Sequence, residues 1–203
     1  MLVVGTLGPA GSNHAYVARR YLEFHDQGHA RLELFPNFEQ AFDSLLCGAI
    51  DHVIQVAVHP SVTSTIARLR NRAHLIDTFL SPSQPMAVLT RAGVEKPSSL
   101  GLQMATRDYI DTTRWPTLIA EPTTISVADG LLAGKYDSGI TLARFATAHP
   151  SVLVVDEAIG TVVDPWLVFG NQPVVTQDAL IWPDSPAAWL LKGTKCRNQG
   201  RNR

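Results

Sequence analysis

A twelve-residue pattern that occurs twice constrains this chain more than any other feature. Asp43-Ser44-Leu45-Leu46-Cys47-Gly48-Ala49-Ile50-Asp51-His52-Val53-Ile54 returns 86 residues later as Asp129-Gly130-Leu131-Leu132-Ala133-Gly134-Lys135-Tyr136-Asp137-Ser138-Gly139-Ile140, with D-x-L-L-x-G-x-x-D-x-x-I in common. Each copy reads as the end of an amphipathic helix, a glycine stop, a short Asp turn and an apolar strand. Convergent helix-to-strand chemistry also produces such matches, so the flanking segments have to decide whether two similar lobes share the chain.

The flanks favour two lobes. Before the first copy, Val3-Val4-Gly5-Thr6-Leu7 reads as a strand, and Ser12 as the N-cap of a helix with apolar face Ala15, Ala18, Tyr21 and Leu22. Arg31-Leu32-Glu33-Leu34-Phe35 alternates as a second strand, and Asn37 caps the helix that carries the motif. Before the second copy, Leu100-Gly101-Leu102-Gln103-Met104 precedes a helix expected over 106–115, Leu118-Ile119-Ala120 follows, and Thr123 or Thr124 caps the next helix. Both halves run strand, helix, strand, helix, strand, which predicts an α/β fold with parallel sheets and right-handed crossovers. The Ser81-Pro82-Ser83-Gln84-Pro85 stretch suits a hinge. Expected boundaries are therefore 1–80 for lobe 1, 81–170 for lobe 2, 171–191 for a segment returning to the lobes, and 192–203 for a disordered basic tail.

Composition narrows the function classes. The 203 residues are 45% hydrophobic and 17% charged with a formal net charge of −1, so no overall field draws in nucleic acid or an anionic membrane. No apolar run reaches the roughly eighteen residues of a membrane span, and the N-terminus lacks the basic region of a signal peptide. Cys47 and Cys196 fit no zinc or redox spacing and do not form a disulfide framework, which points to the cytoplasm. Gly8-Pro9-Ala10-Gly11-Ser12 is neither a phosphate loop nor a G-x-G-x-x-G fingerprint, so no nucleotide cofactor is expected. With no metal-ligand spacing and no G-x-S-x-G elbow, neither a metal nor a serine nucleophile is expected.

A cleft between two such lobes collects the turns at the carboxyl ends of their strands. Four turns place small polar residues there: Gly11-Ser12, Thr106-Arg107, Thr123-Thr124 and the region of His59-Pro60-Ser61. Helix N-termini favour carboxylate or phosphate, although Ser12 and Thr124 also serve simply as caps. His25, His29 and His74 lie among polar residues, His52 in the Asp turn and His149 in a loop. His14 sits in a first helical turn, and His59 ends the apolar run Val53–Val58, where a buried strand would deliver it to the cleft. Arg107, in a first turn unfavourable to a cation, would be compensated by a ligand carboxylate. Trp166 suits either the core or a flat wall for a ring.

Thr6-Leu7-Gly8-Pro9-Ala10-Gly11-Ser12-Asn13-His14-Ala15-Tyr16, followed by a hinge and a second lobe, resembles the catalytic domain of the prephenate dehydratase family over residues 3–170. The resemblance implies a two-lobed fold like that of type 2 periplasmic binding proteins, and a dimer. Three departures stand out. Ala57-Val58-His59-Pro60-Ser61 replaces the family's Pro-Ile-Glu-Asn-Ser, Ala105-Thr106-Arg107-Asp108 replaces its Ser-His-Pro-Gln, and Asp164-Pro165-Trp166 falls at its Thr-Arg-Phe, which carries the catalytic Thr and substrate-binding Arg. With a His near 59 and a Trp near 166, the chain is more similar to the prephenate decarboxylases of bacilysin-type biosynthesis. This resemblance implies a cofactor-free lyase on a small cyclic mono- or dicarboxylate. His59 and His14 would be the catalytic groups, and Gly11, Ser12, Asn13, Thr106, Arg107, Thr123, Thr124 and Trp166 would contact the substrate. The alternatives are retained dehydration with Asp164 as acid, a related isomerase or hydratase, and a non-catalytic carboxylate-binding protein.

Overall fold

The computed structural model describes residues 1–173. Lobe 1 begins with β1 (Val3–Leu7), α1 (Asn13–Phe24), β2 (Arg31–Phe35), α2 (Phe38–Leu46), β3 (His52–Val56), α3 (Val62–Leu69) and β4 (His74–Pro82). Lobe 2 holds β5 (Met86–Arg91), β6 (Ser99–Leu102), two 3-10 turns (Met104–Tyr109 and Thr112–Arg114), β7 (Thr117–Ala120), α4 (Thr124–Leu132), β8 (Ser138–Leu142), α5 (Arg144–Ala148) and β9 (Leu153–Gly160). The chain then re-enters lobe 1 as β10 (Val163–Gly170). The two sheets run β2-β1-β3-β10-β4 and β7-β6-β8-β5-β9.

Each sheet has apolar residues on both faces, as buried mixed sheets require. In lobe 1, Val53 joins Phe42, Leu45 and Phe169 under α2 and α3, while its neighbour Ile54 joins Val17, Leu22 and Trp166 under α1. In lobe 2, Met86 and Val88 face Leu100, Trp115 and Leu142, and the intervening Ala87 and Leu89 face Val127, Leu131 and Tyr136 of the α4 side.

The repeat is structural. Gly48 and Gly134 both take positive φ, 76° and 73°, and close α2 and α4. The Asp of each copy then pins the first strand of its parallel set. Val3 N–H donates to Asp51 Oδ2 at 2.7 Å, and Ser98 N–H donates to Asp137 Oδ2 at 2.8 Å. Register repeats as well: Val4 and Gly5 pair with His52 and Val53, as Leu100 and Gly101 pair with Ser138 and Gly139. The pattern's Ile50 and Tyr136 lie over those glycines. A Cβ on Gly5 would come within 2.6 Å of Ile50 Cδ1, and one on Gly101 would overlap the Tyr136 ring.

Two expectations are corrected. Residues 163–170 belong to the sheet of lobe 1, because β10 runs antiparallel between β3 and β4 and buries Trp166, Val168 and Phe169 there. The lobes are thus joined by two crossings, after β4 and after β9. The helix expected over 106–115 is instead the pair of 3-10 turns. The connection at 103–116 is much shorter than its counterpart at 8–30, which leaves no length for a helix that spans the sheet. Residues 174–191 of the expected returning segment, the expected tail 192–203 and Cys196 lie outside the described residues. Among the described residues no helix is long and apolar enough to cross a membrane.

Gly130 gives a test of the Tyr136 packing. Alanine in a helix interior is normally better than glycine by about 1 kcal/mol, but a Cβ at Gly130 would overlap the Tyr136 phenol, whose hydroxyl donates to Val127 O at 2.8 Å. Gly130→Ala should therefore destabilise the protein by about 1–3 kcal/mol, read as a lower urea midpoint. A stabilised variant would show that the ring yields.

Candidate functional site

A cavity of about 100 Å³ opens between the lobes at the carboxyl ends of β1, β3 and β6 and the N-terminal end of β10. Lobe 1 supplies Ser12, Asn13, His14, His59, Asp164 and Trp166 to its wall, and lobe 2 supplies Gln103, Thr106, Tyr109, Thr123 and Thr124. Leu7, Val56, Val58 and Met86 complete an apolar side.

Local rules place these groups. Ser12 Oγ accepts from Ala15 N–H at 3.2 Å and donates to Leu7 O, so the first turn of α1 is fixed against the end of β1. Thr123 and Ser126 form a capping box on α4. The leading N–H groups of both helices have no intrahelical carbonyl to bond, and both N-termini reach the cavity wall. Thr106 Oγ1 donates to Gln103 O at 2.8 Å, which holds the 3-10 turn. Alternation along β10 puts Asp164 and Trp166 on the same face.

The aromatic groups form one cluster. His14 lies edge-to-face with Trp166 (centroids 5.3 Å apart), Phe38 (5.5 Å) and His59 (6.2 Å), and Phe38 packs on His59 at 4.9 Å. Burial, helped by the His59 charge, pushes the His14 imidazole down to about 3, and its Nε2 has no hydrogen-bond partner among the described residues. Burial also lowers His59. Both rings are therefore neutral near pH 7. Burial raises the Asp164 carboxyl, and burial together with the Asp164 charge raises the Tyr109 phenol. Asp164 is the one ionisable carboxyl in the wall, and no Lys or Arg among the described residues lines it.

Eight of the ten residues singled out in the sequence meet here: His59, His14, Ser12, Asn13, Thr106, Thr123, Thr124 and Trp166. Gly11 and Arg107 do not. Gly11, at φ 83°, gives its carbonyl to Gln84 Nε2 (2.9 Å) and Arg144 Nη2 (3.1 Å), so it ties α1 to the hinge and to lobe 2. Arg107 is exposed, because in a 3-10 turn the inward place falls to Thr106, which is 5% exposed. His14 lines the cavity as expected, and burial, which lowers its pKa, makes its neutral ring a weaker acid than an imidazolium. Gln103 and Tyr109 were missed, because the segment was read with helical periodicity. Asp164, expected from the sequence as an acid only in the dehydration alternative, also lines the cavity.

No protein-family model matches the sequence, and no curated protein matches it. Solved structures do match. The prephenate dehydratase of Arthrobacter aurescens, in complex with L-Phe, is similar at a TM-score of 0.62 and 19% identity, over 93% of this chain and 70% of that one. An ABC transporter protein of Parabacteroides distasonis follows at 0.56 and 14%, over 84% and 66%. The periplasmic VFT2 domain of Bordetella pertussis BvgS follows at 0.52 and 11%, over 83% and 80%. The likeness is one of fold. The protein has the two-lobed α/β fold common to type 2 periplasmic binding proteins and prephenate dehydratase.

The buried imidazole has a consequence for stability. His14 titrates at about 3 when folded and near its ordinary 6.5 when unfolded, so its contribution is present above pH 6.5 and is lost as the pH falls toward 3. Between pH 7 and pH 5 that loss is about 2 kcal/mol at most, with lowered His59 acting in the same direction. His14→Gln should flatten the pH dependence of urea unfolding over this interval. Equal slopes in wild type and variant would mean that His14 takes up its proton freely in the folded state.

Proposed function

We propose that the protein is a cofactor-free lyase that removes CO2 from a small cyclic carboxylate, with prephenate the first substrate to test. The observation that carries this reading is the electrostatic make-up of the cavity: two helix N-termini on one side, an apolar and aromatic wall on the other, a carboxyl raised by burial, and no cation in the described lining. One ligand carboxylate would sit at the N-termini of α1 and α4, near the Thr124 hydroxyl. The ring carboxylate would lie against Trp166, Val56 and Met86. Nothing there stabilises its charge, so conversion to neutral CO2 is favoured.

As the ring C–CO2 bond breaks, its electron pair passes into the ring diene. A ring carbon then takes the proton of the Asp164 carboxyl. The ring hydroxyl stays in place, the product is a non-aromatic dihydro-hydroxyphenylpyruvate, and Asp164 regains its proton from water. A raised carboxyl suits the role of acid better than either neutral imidazole. Loss of hydroxide, as in a dehydratase, would be poorly served by a site that lacks the family's Thr and Arg. A homodimer acting in the cytoplasm is part of the same reading. The fold it shares with solute-binding domains favours, as the second reading, a non-catalytic receptor for a ring carboxylate.

Proton NMR of the purified protein mixed with prephenate tests this reading. Ring diene signals with one carboxyl group lost would support the decarboxylase, and phenylpyruvate would replace it with dehydration. Saturable binding without turnover would assign the chain to the receptor reading, and no binding would overturn prephenate as the ligand.

Asp164→Asn should lower kcat by about 10²–10⁴-fold with little change in KM. Because the acid must be protonated, wild-type kcat should fall as the pH rises through the raised value of Asp164. A variant with full activity would remove Asp164 from the chemistry.

A further inference from the structure

Behind His59 runs a short polar chain. Gln55 Nε2 donates to Ser61 Oγ at 3.0 Å, Ser61 Oγ lies 2.8 Å from His59 Nδ1, and the backbone N–H of Ser61 donates to the same Nδ1 at 3.2 Å. Gln55 is fully buried in β3, and its Oε1 has no partner among the described residues. We propose that Gln55 and Ser61 are positioning residues that hold His59 as its Nε2–H tautomer, so that His59 meets the ligand as a neutral hydrogen-bond donor to an oxygen acceptor.

The direction of the chain follows from the one member that cannot be turned round. An imidazole can move its proton, an amide can rotate by half a turn, and a hydroxyl hydrogen can swing, but a backbone N–H is always a donor. Since Ser61 N–H points at His59 Nδ1, that nitrogen must offer its lone pair. The Ser61 hydroxyl must then donate to Nδ1 as well, which leaves its oxygen to accept from the Gln55 amide. The reversed chain would satisfy Gln55 Oε1 through the Ser61 hydroxyl, but it would set the Nδ1 proton against the Ser61 N–H. The unpartnered Oε1 is what the observed direction leaves behind. With Nδ1 occupied from behind, Nε2 is the nitrogen left for the cleft, and it carries the proton.

The assignment of His59 to the ligand rests on the proposed site, but the tautomer does not. Substrate is therefore absent from the test. Long-range ¹H–¹⁵N correlation spectra of the ¹⁵N-labelled full chain near pH 7 distinguish the two ring nitrogens, with His59 assigned by its loss in His59→Gln. The expected spectrum has a pyrrole-like Nε2 and a pyridine-like Nδ1. Ser61→Ala, which keeps the backbone donor to Nδ1 and removes only the hydroxyl one, should move both part of the way toward the averaged values of exchanging tautomers, Ser61→Thr should restore them, and Gln55→Leu should shift them less, in the same direction. A protonated Nδ1 in the wild type would overturn the proposal outright. Wild-type shifts in Ser61→Ala, with the fold checked by its amide spectrum, would overturn the role of Ser61. A correct tautomer in a protein that ignores prephenate would instead count against the decarboxylase and leave the chain of hydrogen bonds standing.

Discussion

The strand that leaves lobe 2 and inserts into the sheet of lobe 1 is the constraint on which the rest of the molecule depends. β10 pairs with both β3 and β4, so the sheet of lobe 1 is complete only after lobe 2 has been made. Its first residues stand at the carboxyl end of β3, with Trp166 opposite Val56, which puts Asp164 and Trp166 in the cleft wall. The same insertion creates the second crossing between the lobes. There Ser83 N–H donates to Val162 O at 2.8 Å and Val162 N–H donates to Ser83 Oγ at 3.0 Å, so the two connections brace one another. Core, hinge and site thus share one short segment of chain.

The cleft that results is unusual in its charge. No Lys or Arg is among the described residues that line it, and what it offers an anion is helix N-termini and neutral donors. Its two imidazoles are held neutral by burial, and its one carboxyl is held toward its protonated form by the same cause. Desolvation is therefore the common source of the site's chemistry. It suppresses charge on the protein side and leaves the ligand to bring its own. A bound anion would gain from the N–H groups only where it touches them and would be destabilised elsewhere.

What could be read from the sequence follows the reach of the interactions involved. The helix stops at Gly48 and Gly134, the caps at Ser12, Asn37 and Thr123, and the Asp of each repeat act within a few residues or along a fixed motif, and they stand where the pattern put them. Ser12, His14, His59, Thr123 and Trp166 could be placed at the cleft from the sequence because strand ends and first helical turns converge in any such fold. The destination of β10 was not legible. Val163–Gly170 carries an apolar run like those of lobe 2's strands, and only competition between the two sheets for an antiparallel partner decides where it goes. Arg107 was misplaced for a different reason. A helix and a 3-10 turn share their first residues but differ in which one faces inward, and that choice depended on the length available between β6 and β7.

The loop after β1 links these levels. Asn13 Oδ1 accepts from Gln84 N–H at 3.0 Å, and the Gly11 carbonyl accepts from Gln84 and Arg144, so the N-terminus of α1 is bonded to the hinge and to α5 of lobe 2. That N-terminus is also the feature of lobe 1 suited to an anion. Any shift of lobe 2 away from lobe 1 breaks these bonds and withdraws Thr123 and Thr124 from the facing wall at the same time. Lobe position and the N-terminus of α1 are therefore coupled through Gly11, whose φ of 83° is a backbone conformation that suits glycine. The Gly-Pro-x-Gly-Ser opening does more than turn the chain into α1, for it is the joint at which one lobe holds the other in register with the cleft.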